Sequence, residues 1–161
     1  MIRYGIVGIG GFAATWVRAL QALETRGIAR LSAAVVRNRA KYAERAAALE
    51  ARGCAIYPSL ETMLADDGDR FDLVGVPTGI PDHAPMAIRA MDAGYNVLIE
   101  KPVAATVQEV EALREAERRT GRWCAVGYQF IYSPTVQWLR GLIASGSLGA
   151  IREARAMIGW P

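Results

Sequence analysis

The chain has 161 residues, of which 52% are apolar and 22% charged, and its 19 Lys and Arg against 16 Asp and Glu give a net charge of +3. This length allows one domain with a sizeable core but not two of ordinary size, and the longest uncharged run, residues 123–139, contains Gln, Ser, Thr and Pro and excludes a transmembrane helix. Because the arginines are dispersed among carboxylates at helical pair spacing, the basic balance predicts a solvated surface and no nucleic-acid partner.

Short apolar runs alternate with amphipathic segments along the chain. The apolar runs are too continuous for strands with one face in water, so they predict buried parallel strands. The predicted strands are Arg3–Val7, Leu31–Val36, Ala55–Tyr57, Leu73–Val76, Asn96–Ile99 and Trp123–Val126. Six such strands joined by helical crossovers predict an α/β fold with a doubly wound parallel sheet.

Helix signals occupy the segments between these strands. One helix opens near Gly11 and another lies around Pro85, each with apolar residues at three- and four-residue intervals. Thr106 and Glu109 predict a capping box at the start of a third helix, which Gly121 closes.

A different pattern follows Tyr128. Ser133 is the expected cap of one more helix, and Ala150–Trp160 predicts a strand that has no partner strand in this chain. We therefore predict a first domain over residues 1–128 and the start of a second, incomplete domain over residues 129–161.

The chain start and the cysteines bear on the compartment. The opening MIRYGIVG has too short an apolar run for a secretory leader, which favours a cytoplasmic protein. Cys54 and Cys124 show neither metal-ligand nor redox-motif spacing, and we predict no metal site. Both lie in apolar runs, so we expect buried free thiols.

The first chemical motif is the stretch GIVGIGGFA. Gly8, Gly10 and Ala13 match the dinucleotide fingerprint G-x-G-x-x-G/A directly after a strand, with Gly11 and Phe12 in the same turn. Gly8 allows the tight turn, Gly10 the approach of a pyrophosphate, and Ala13 close packing of helix on sheet. The motif favours a Rossmann-like cofactor site over the alternative of a glycine-rich turn without a ligand.

The second motif lies at the end of the second predicted strand. A site for NAD usually has Asp or Glu there, whereas this chain has Arg37, followed by Asn38 and Arg39. A planar guanidinium suits the 2′-phosphate of NADP. We predict NADP as the cofactor, with NAD as the alternative; the structural alternative is a pair of solvent-exposed arginines.

The third motif is the triplet Glu100, Lys101 and Pro102 after the fifth predicted strand. Lys101 is unusual because it and Lys41 are the only lysines among the 19 basic residues. The carboxyl end of a parallel strand is the edge at which open α/β sheets bind ligands, which favours a site residue over a solvated strand end.

Taken together, the motifs resemble the glucose-fructose oxidoreductase, inositol dehydrogenase and rhizopine catabolism (Gfo/Idh/MocA) family. The resemblance extends over the whole chain through GIGGFA, VPTGIPDHA, AMDAGYNVLIEKPVA and VGYQFIYSP. It implies a two-domain oxidoreductase that moves hydride between a nicotinamide and a hydroxyl-bearing or carbonyl carbon of a sugar, cyclitol or related polyol. The second domain of such proteins is an α+β substrate and oligomerisation domain.

The resemblance also implies roles for the triplet and its neighbours. Lys101 corresponds to the catalytic lysine, Glu100 to a residue near the nicotinamide ribose, and the Lys101–Pro102 bond is often cis in the family. Gln129 and Tyr128 are expected to face the cofactor and substrate.

The loop after the fourth predicted strand is a further part of the site implied by the resemblance. Pro77, Thr78 and Gly79 are expected to line the cofactor. His83 is expected to begin the next helix near the nicotinamide end, with a local hydrogen bond at a helix start as the alternative. Trp16 is expected to pack the first helix on the sheet.

Two alternatives to an oxidoreductase remain at this stage. One is a non-catalytic NADP-binding module or redox-sensing regulator; the other, a methyltransferase, is disfavoured because the triplet has no role in it.

In the family the other catalytic residues come from the second domain, whose open sheet pairs subunits. We therefore expect a sugar-like small-molecule substrate, a homo-oligomer formed through that sheet, and no membrane partner.

Overall fold

The computed structural model describes residues 1–66, 70–157 and 159. The chain divides into two units, Met1–Gly127 and Tyr128–Pro161. No helix in these described ranges is both long and apolar enough to cross a membrane.

A six-stranded parallel sheet of order β3-β2-β1-β4-β5-β6 forms the centre of the first unit. The strands are β1 (Ile2–Val7), β2 (Ala29–Val35), β3 (Ala55–Tyr57), β4 (Leu73–Val76), β5 (Asn96–Ile99) and β6 (Cys124–Val126). The predicted doubly wound α/β fold is confirmed, and β3, β4 and β5 have their predicted bounds. β1 and β6 differ by one residue at the start, and β2 begins two residues earlier and ends one residue earlier than predicted.

Helices cover both faces of the sheet. They are α1 (Ala13–Thr25), α2 (Ala43–Glu50), α3 (Leu60–Leu64), α4 (Ile80–Asp92) and α5 (Val107–Thr120). The expected start at His83 is three residues too late, because α4 begins at Ile80 and contains both His83 and Pro85. Pro81 lies in its first turn, where a missing N–H leaves no helical bond unmade.

The expected capping box of α5 is confirmed. The Thr106 hydroxyl accepts a hydrogen bond from the Glu109 N–H at 3.2 Å, and the Glu109 carboxylate accepts one from the Thr106 N–H at 2.9 Å. Gly121 ends the helix with φ of 66°, in the left-handed region that glycine tolerates.

The core is divided between the two faces of the sheet because successive strand side chains point to opposite sides. In β1, Ile6 belongs to the cluster that packs against α1 and α2, whereas Val7 belongs to the cluster that packs against α3, α4 and α5. Burial on both sides explains why the strands lack polar alternation.

The second unit consists of a 3-10 helix at Gln129–Tyr132 and α6 at Pro134–Ala144. Ser133 caps α6 as predicted, since its hydroxyl accepts a hydrogen bond from the Val136 N–H at 3.3 Å. The prediction of a strand over Ala150–Trp160 is wrong for the residues described there, 150–157 and 159, which form no strand. A strand requires a hydrogen-bonded neighbour, and this segment has none in the part of the chain that the structure describes.

Both cysteines are free thiols, as expected; Cys54 is buried as predicted, whereas Cys124 is only half-buried. Burial is the main cause that raises the pKa of each thiol to about 12. Carboxylates contribute to the rise, Glu50 and Glu24 at Cys54 and Glu117 at Cys124.

We expect neither thiol to react with iodoacetamide near neutral pH in the folded chain. Only the thiolate is nucleophilic, and it forms only as the pH rises toward the raised pKa of about 12. In denaturant the thiol pKa returns to about 8.5, and both cysteines then react. Mass spectrometry of the two samples counts the adducts, and fast labelling of the folded chain contradicts the prediction.

Candidate cofactor-binding site

A cavity of about 350 Å³ opens at the carboxyl ends of β1, β2 and β4. This is the point at which the strand order reverses, and open α/β sheets bind ligands at such a point. The residues that line the cavity are Val7, Gly8, Ile9, Gly10, Ala13, Val35, Val36, Arg37, Asn38, Lys41, Tyr42, Pro77, Thr78, Gly79 and Asp82.

The glycine turn forms the floor of this cavity. Gly8 has φ of 96° and donates its N–H to the Val35 carbonyl at 3.0 Å, which ties the turn to β2. A Cβ at Gly8 would lie 3.7 Å from that of Ala13, so the strand and α1 approach closely here. Phe12, at the N-cap of α1, makes no side-chain cap hydrogen bond. The exposed start of α1 is therefore suited to an anion such as a pyrophosphate.

The two arginines after β2 have different surroundings. Arg39 donates from Nη2 to both carboxylate oxygens of Glu50, at 2.7 and 2.8 Å, and does not line the cavity. Arg37 lines the cavity and has no hydrogen-bond or ion-pair partner among the described residues. The guanidinium of Arg37 is therefore the one that remains available to a ligand.

Lys41 also lines the cavity, although the sequence motifs did not single it out. The Asn38 side-chain oxygen accepts a hydrogen bond from the Lys41 N–H at 2.9 Å, which closes a turn just before α2. Lysine is rare in this chain, and that rarity could have pointed to Lys41 as it pointed to Lys101. Arg37 and Lys41 together make this side of the cavity basic.

The loop between β4 and α4 forms the opposite side. Pro77, Thr78 and Gly79 line the cavity, as does Asp82 in the first turn of α4, which the sequence analysis missed. The Thr78 hydroxyl is buried and has no hydrogen-bond partner among the described residues. A polar atom in that state is suited to bond a ligand.

His83 is 1% exposed and does not line the cavity. Its Nδ1 lies 2.8 Å from the Pro102 carbonyl oxygen and its Nε2 lies 3.2 Å from the Thr78 carbonyl oxygen. Both partners are carbonyl acceptors, so the imidazole can donate an N–H to either of them. His83 thus connects the β4 loop to the triplet after β5. The alternative of a local hydrogen bond at the helix start accounts only for the contact with Thr78.

Glu100 is buried, with 7% of its surface exposed. One carboxylate oxygen accepts a hydrogen bond from Trp16 Nε1 and the other from the Lys101 N–H, both at 3.0 Å. Trp16 packs edge-on against Tyr4 with ring centroids 6.5 Å apart, so it joins α1 to the sheet as expected. It also fixes the position of the Glu100 carboxylate.

Lys101 is exposed, and its ammonium has no partner among the described residues. The Lys101–Pro102 peptide bond is cis, as the family resemblance implies. Gln129 opens the 3-10 helix of the second unit. The structure therefore assembles the glycine turn, Arg37, Asn38 and the β4 loop around one cavity, with the triplet linked to that loop through His83.

The chemistry of these groups fits a dinucleotide. Bare glycine backbone and a helix start suit a pyrophosphate, Arg37 and Lys41 suit a further phosphate, and an orphan hydroxyl at Thr78 suits a polar ligand group. No three His, Cys, Asp or Glu side chains are grouped to hold a metal ion within the described ranges.

The family model described as GFO_IDH_MocA, oxidoreductase family, NAD-binding Rossmann fold, matches residues 2–128. The dTDP-3,4-didehydro-2,6-dideoxy-alpha-D-glucose 3-reductase of Actinomadura kijaniata is 32% identical over 158 residues, 96% of this chain and 45% of that protein. The inositol 2-dehydrogenase of Corynebacterium glutamicum is 29% identical over 157 residues, 97% of this chain and 45% of that protein. This chain spans less than half the length of these relatives.

Solved structures show the same fold. The WlbA dehydrogenase from Bordetella pertussis, in complex with NADH and UDP-GlcNAcA, has a TM-score of 0.79 at 27% identity, covering 92% of this chain and 43% of that one. A mutant 3-ketoreductase from Actinomadura kijaniata, in complex with TDP-benzene and NADP, has a TM-score of 0.75 at 28% identity, covering 94% and 44%. These two neighbours therefore hold different nicotinamide nucleotides.

We expect His83→Leu to lower the free energy of unfolding by about 0.5–1.5 kcal/mol, because it removes the hydrogen bond between the imidazole and the Pro102 carbonyl. Urea denaturation followed by circular dichroism measures the change. His83→Asn is the matched control, since its side-chain amide retains an N–H close to the position of Nδ1, and we expect a smaller loss. Wild-type stability of the Leu variant contradicts the assigned bond.

Proposed function

This chain belongs to the Gfo/Idh/MocA oxidoreductase family, and we propose that it is the NADP-binding part of a dehydrogenase or reductase that acts on a sugar-like substrate. The observation that carries the proposal is the cavity that joins the glycine turn to the basic pair Arg37 and Lys41. Relatives named as sugar-nucleotide reductases and inositol dehydrogenases support the substrate class.

The preference for NADP rests on charge at the end of β2. Arg37 lies where an NAD site has a carboxylate that accepts hydrogen bonds from the ribose hydroxyls. A guanidinium donates two parallel hydrogen bonds to a phosphate, and the nearby Lys41 ammonium adds a second positive charge to the same cavity. Arg39 has no part in the proposal because Glu50 already occupies its guanidinium.

The glycine turn and the start of α1 would hold the pyrophosphate. Gly8 and Gly10 bring bare backbone to the cavity floor, and Ala13 at the start of α1 places the positive end of the helix dipole beside it. Thr78 and its neighbours in the β4 loop would line the nicotinamide half. When bound, the nicotinamide supplies or accepts the hydride.

Lys101 would act on the reacting oxygen of the substrate. Its ammonium can donate a hydrogen bond to a carbonyl oxygen, stabilise the negative charge that develops there during reduction, and share its proton with that oxygen. Glu100 and His83 would position it, because they anchor the backbone on both sides of Lys101 through Trp16, the Lys101 N–H and the Pro102 carbonyl.

The second unit would begin a substrate domain. Its described part has exposed apolar side chains, including Phe130, Tyr132 and Trp138, which suit burial against further chain. We propose residues 129–161 as the start of an α+β domain that completes the substrate site and pairs subunits. Gln129 would then contribute to the part of the site that faces the cofactor and the substrate. The cytoplasm remains the predicted compartment of the protein.

We expect NADPH to raise the melting temperature of the 161-residue chain more than NADH does, because a ligand that binds only the folded state stabilises it by about 2.7 kcal/mol at 100 times its dissociation constant. Arg37→Asp is expected to reverse the order of the two nucleotides. Differential scanning fluorimetry with both nucleotides at equal concentration measures this.

Arg39→Ala is the matched control for the Arg37 variant. It removes a neighbouring guanidinium that is paired with Glu50, so we expect it to leave the nucleotide preference unchanged. The cofactor proposal fails if neither nucleotide shifts the melting temperature, and the role of Arg37 fails if Arg39→Ala changes the preference as much as Arg37→Asp does.

The scarcity of lysine allows a direct observation of Lys101. Reductive methylation with isotope-labelled formaldehyde gives NMR signals from Lys41, Lys101 and the N-terminal amine, and it keeps the positive charge. We expect NADPH to shift both lysine signals, whereas adenosine 2′,5′-bisphosphate, which lacks the nicotinamide, should shift only Lys41. Lys101→Arg identifies the signals by removing one. If the Lys101 signal does not shift when NADPH is added, the proposed position of Lys101 beside the nicotinamide is wrong.

A further inference from the structure

We propose that Tyr42 is a nucleotide-binding residue whose hydroxyl donates a hydrogen bond to the pyrophosphate beside Gly10. The inference rests on the proposed function and deepens it, because no sequence motif points to Tyr42. Its basis is a specific relation between the Tyr42 phenol and the bare backbone of the glycine turn.

The space beside Gly10 is occupied by Tyr42. A Cβ built at Gly10 would overlap the Tyr42 hydroxyl and the adjacent ring atoms. In the dinucleotide fingerprint this second glycine lacks a side chain so that the pyrophosphate can approach the backbone. The Tyr42 hydroxyl therefore lies on the side of Gly10 that the fingerprint leaves open for the pyrophosphate.

The phenol is held in this position by its surroundings. Tyr42 is the N-cap residue of α2, and its carbonyl accepts the Ala46 N–H at 2.9 Å. Its half-buried ring packs against the cluster between the sheet, α1 and α2. The Lys41 ammonium lies 5.4 Å from the ring centroid, within the range of a cation–π contact. An anchored ring brings a fixed hydroxyl to the cavity at little entropic cost.

The hydroxyl is chemically suited to a phosphate. Tyr42 lines the cavity, and its hydroxyl has no hydrogen-bond partner among the residues that the structure describes. A phenol donates one O–H, phosphate oxygens are charged acceptors, and such bonds are stronger than those between neutral groups. Lys41 and Arg37 line the same cavity and add positive charge, which favours a phosphate over an apolar occupant.

This assignment separates two phosphates of the cofactor. Arg37 distinguishes NADP from NAD, because only NADP has the 2′-phosphate. The pyrophosphate is common to both nucleotides, so a hydrogen bond from Tyr42 to it would contribute equally to the binding of each. Replacing Arg37 should therefore weaken the binding of NADPH in particular, whereas removing the Tyr42 hydroxyl should weaken the binding of NADPH and NADH alike.

Isothermal titration of the full chain and its Tyr42→Phe variant with NADPH and with NADH tests the proposal. We expect the variant to lose affinity for both nucleotides by a similar factor, about 10- to 100-fold, the usual loss for a hydrogen bond to a charged group. The retained ring should leave the melting temperature of the ligand-free variant unchanged. Tyr132→Phe, which changes an exposed tyrosine outside the cavity, should leave both affinities unchanged.

Other results overturn the inference in distinguishable ways. A loss confined to NADPH would assign the hydroxyl to the 2′-phosphate and reject the pyrophosphate contact. Unchanged affinity would reject the contact altogether, and tighter binding would show that the hydroxyl obstructs the site. If the wild-type chain binds neither nucleotide, the proposed function fails and this inference fails with it.

Discussion

The pairing of β1 with β4 at the centre of the sheet is the constraint on which the candidate site depends. The two strands are parallel neighbours, yet the helices that follow them, α1 and α4, pack on opposite faces. Their connecting loops therefore diverge at the carboxyl edge and leave a crevice between them. Every residue that lines the cavity is brought there by this divergence or by the end of the adjacent β2.

Buried polar groups then link the crevice to the end of β5. Glu100 is bonded by Trp16 from α1, and His83 from α4 contacts the Pro102 carbonyl. Because an unbonded polar group inside the protein is costly, these contacts favour one arrangement of the backbone around Lys101. Helices from both faces of the sheet thus hold the same strand end, which a surface loop alone would not achieve.

Charge in the cavity is set by which basic side chains already have partners. Arg39 is paired with Glu50, whereas Arg37 and Lys41 line the cavity. The Glu50 carboxylate partly neutralises the Arg39 guanidinium and holds it in place, so Arg39 contributes little to the electrostatic potential in the crevice. The basic residues that follow β2 therefore differ in availability. Arg37 and Lys41 line the cavity, whereas Arg39 is paired with Glu50 of α2.

The sequence by itself determined the elements whose signals are local. Continuous apolar runs identified all six strands, the Thr106 and Glu109 spacing identified the start of α5, and the glycine spacing located the turn after β1, because each pattern acts over a few neighbouring residues. Only the tertiary structure decided which distant groups meet: Arg39 with Glu50, Trp16 with Glu100, and Tyr42 with Gly10. It also decided against a strand over residues 150–157, since a strand depends on a neighbour that no local pattern supplies. Such contacts follow from how helix faces pack on a sheet, and that packing depends on the whole core.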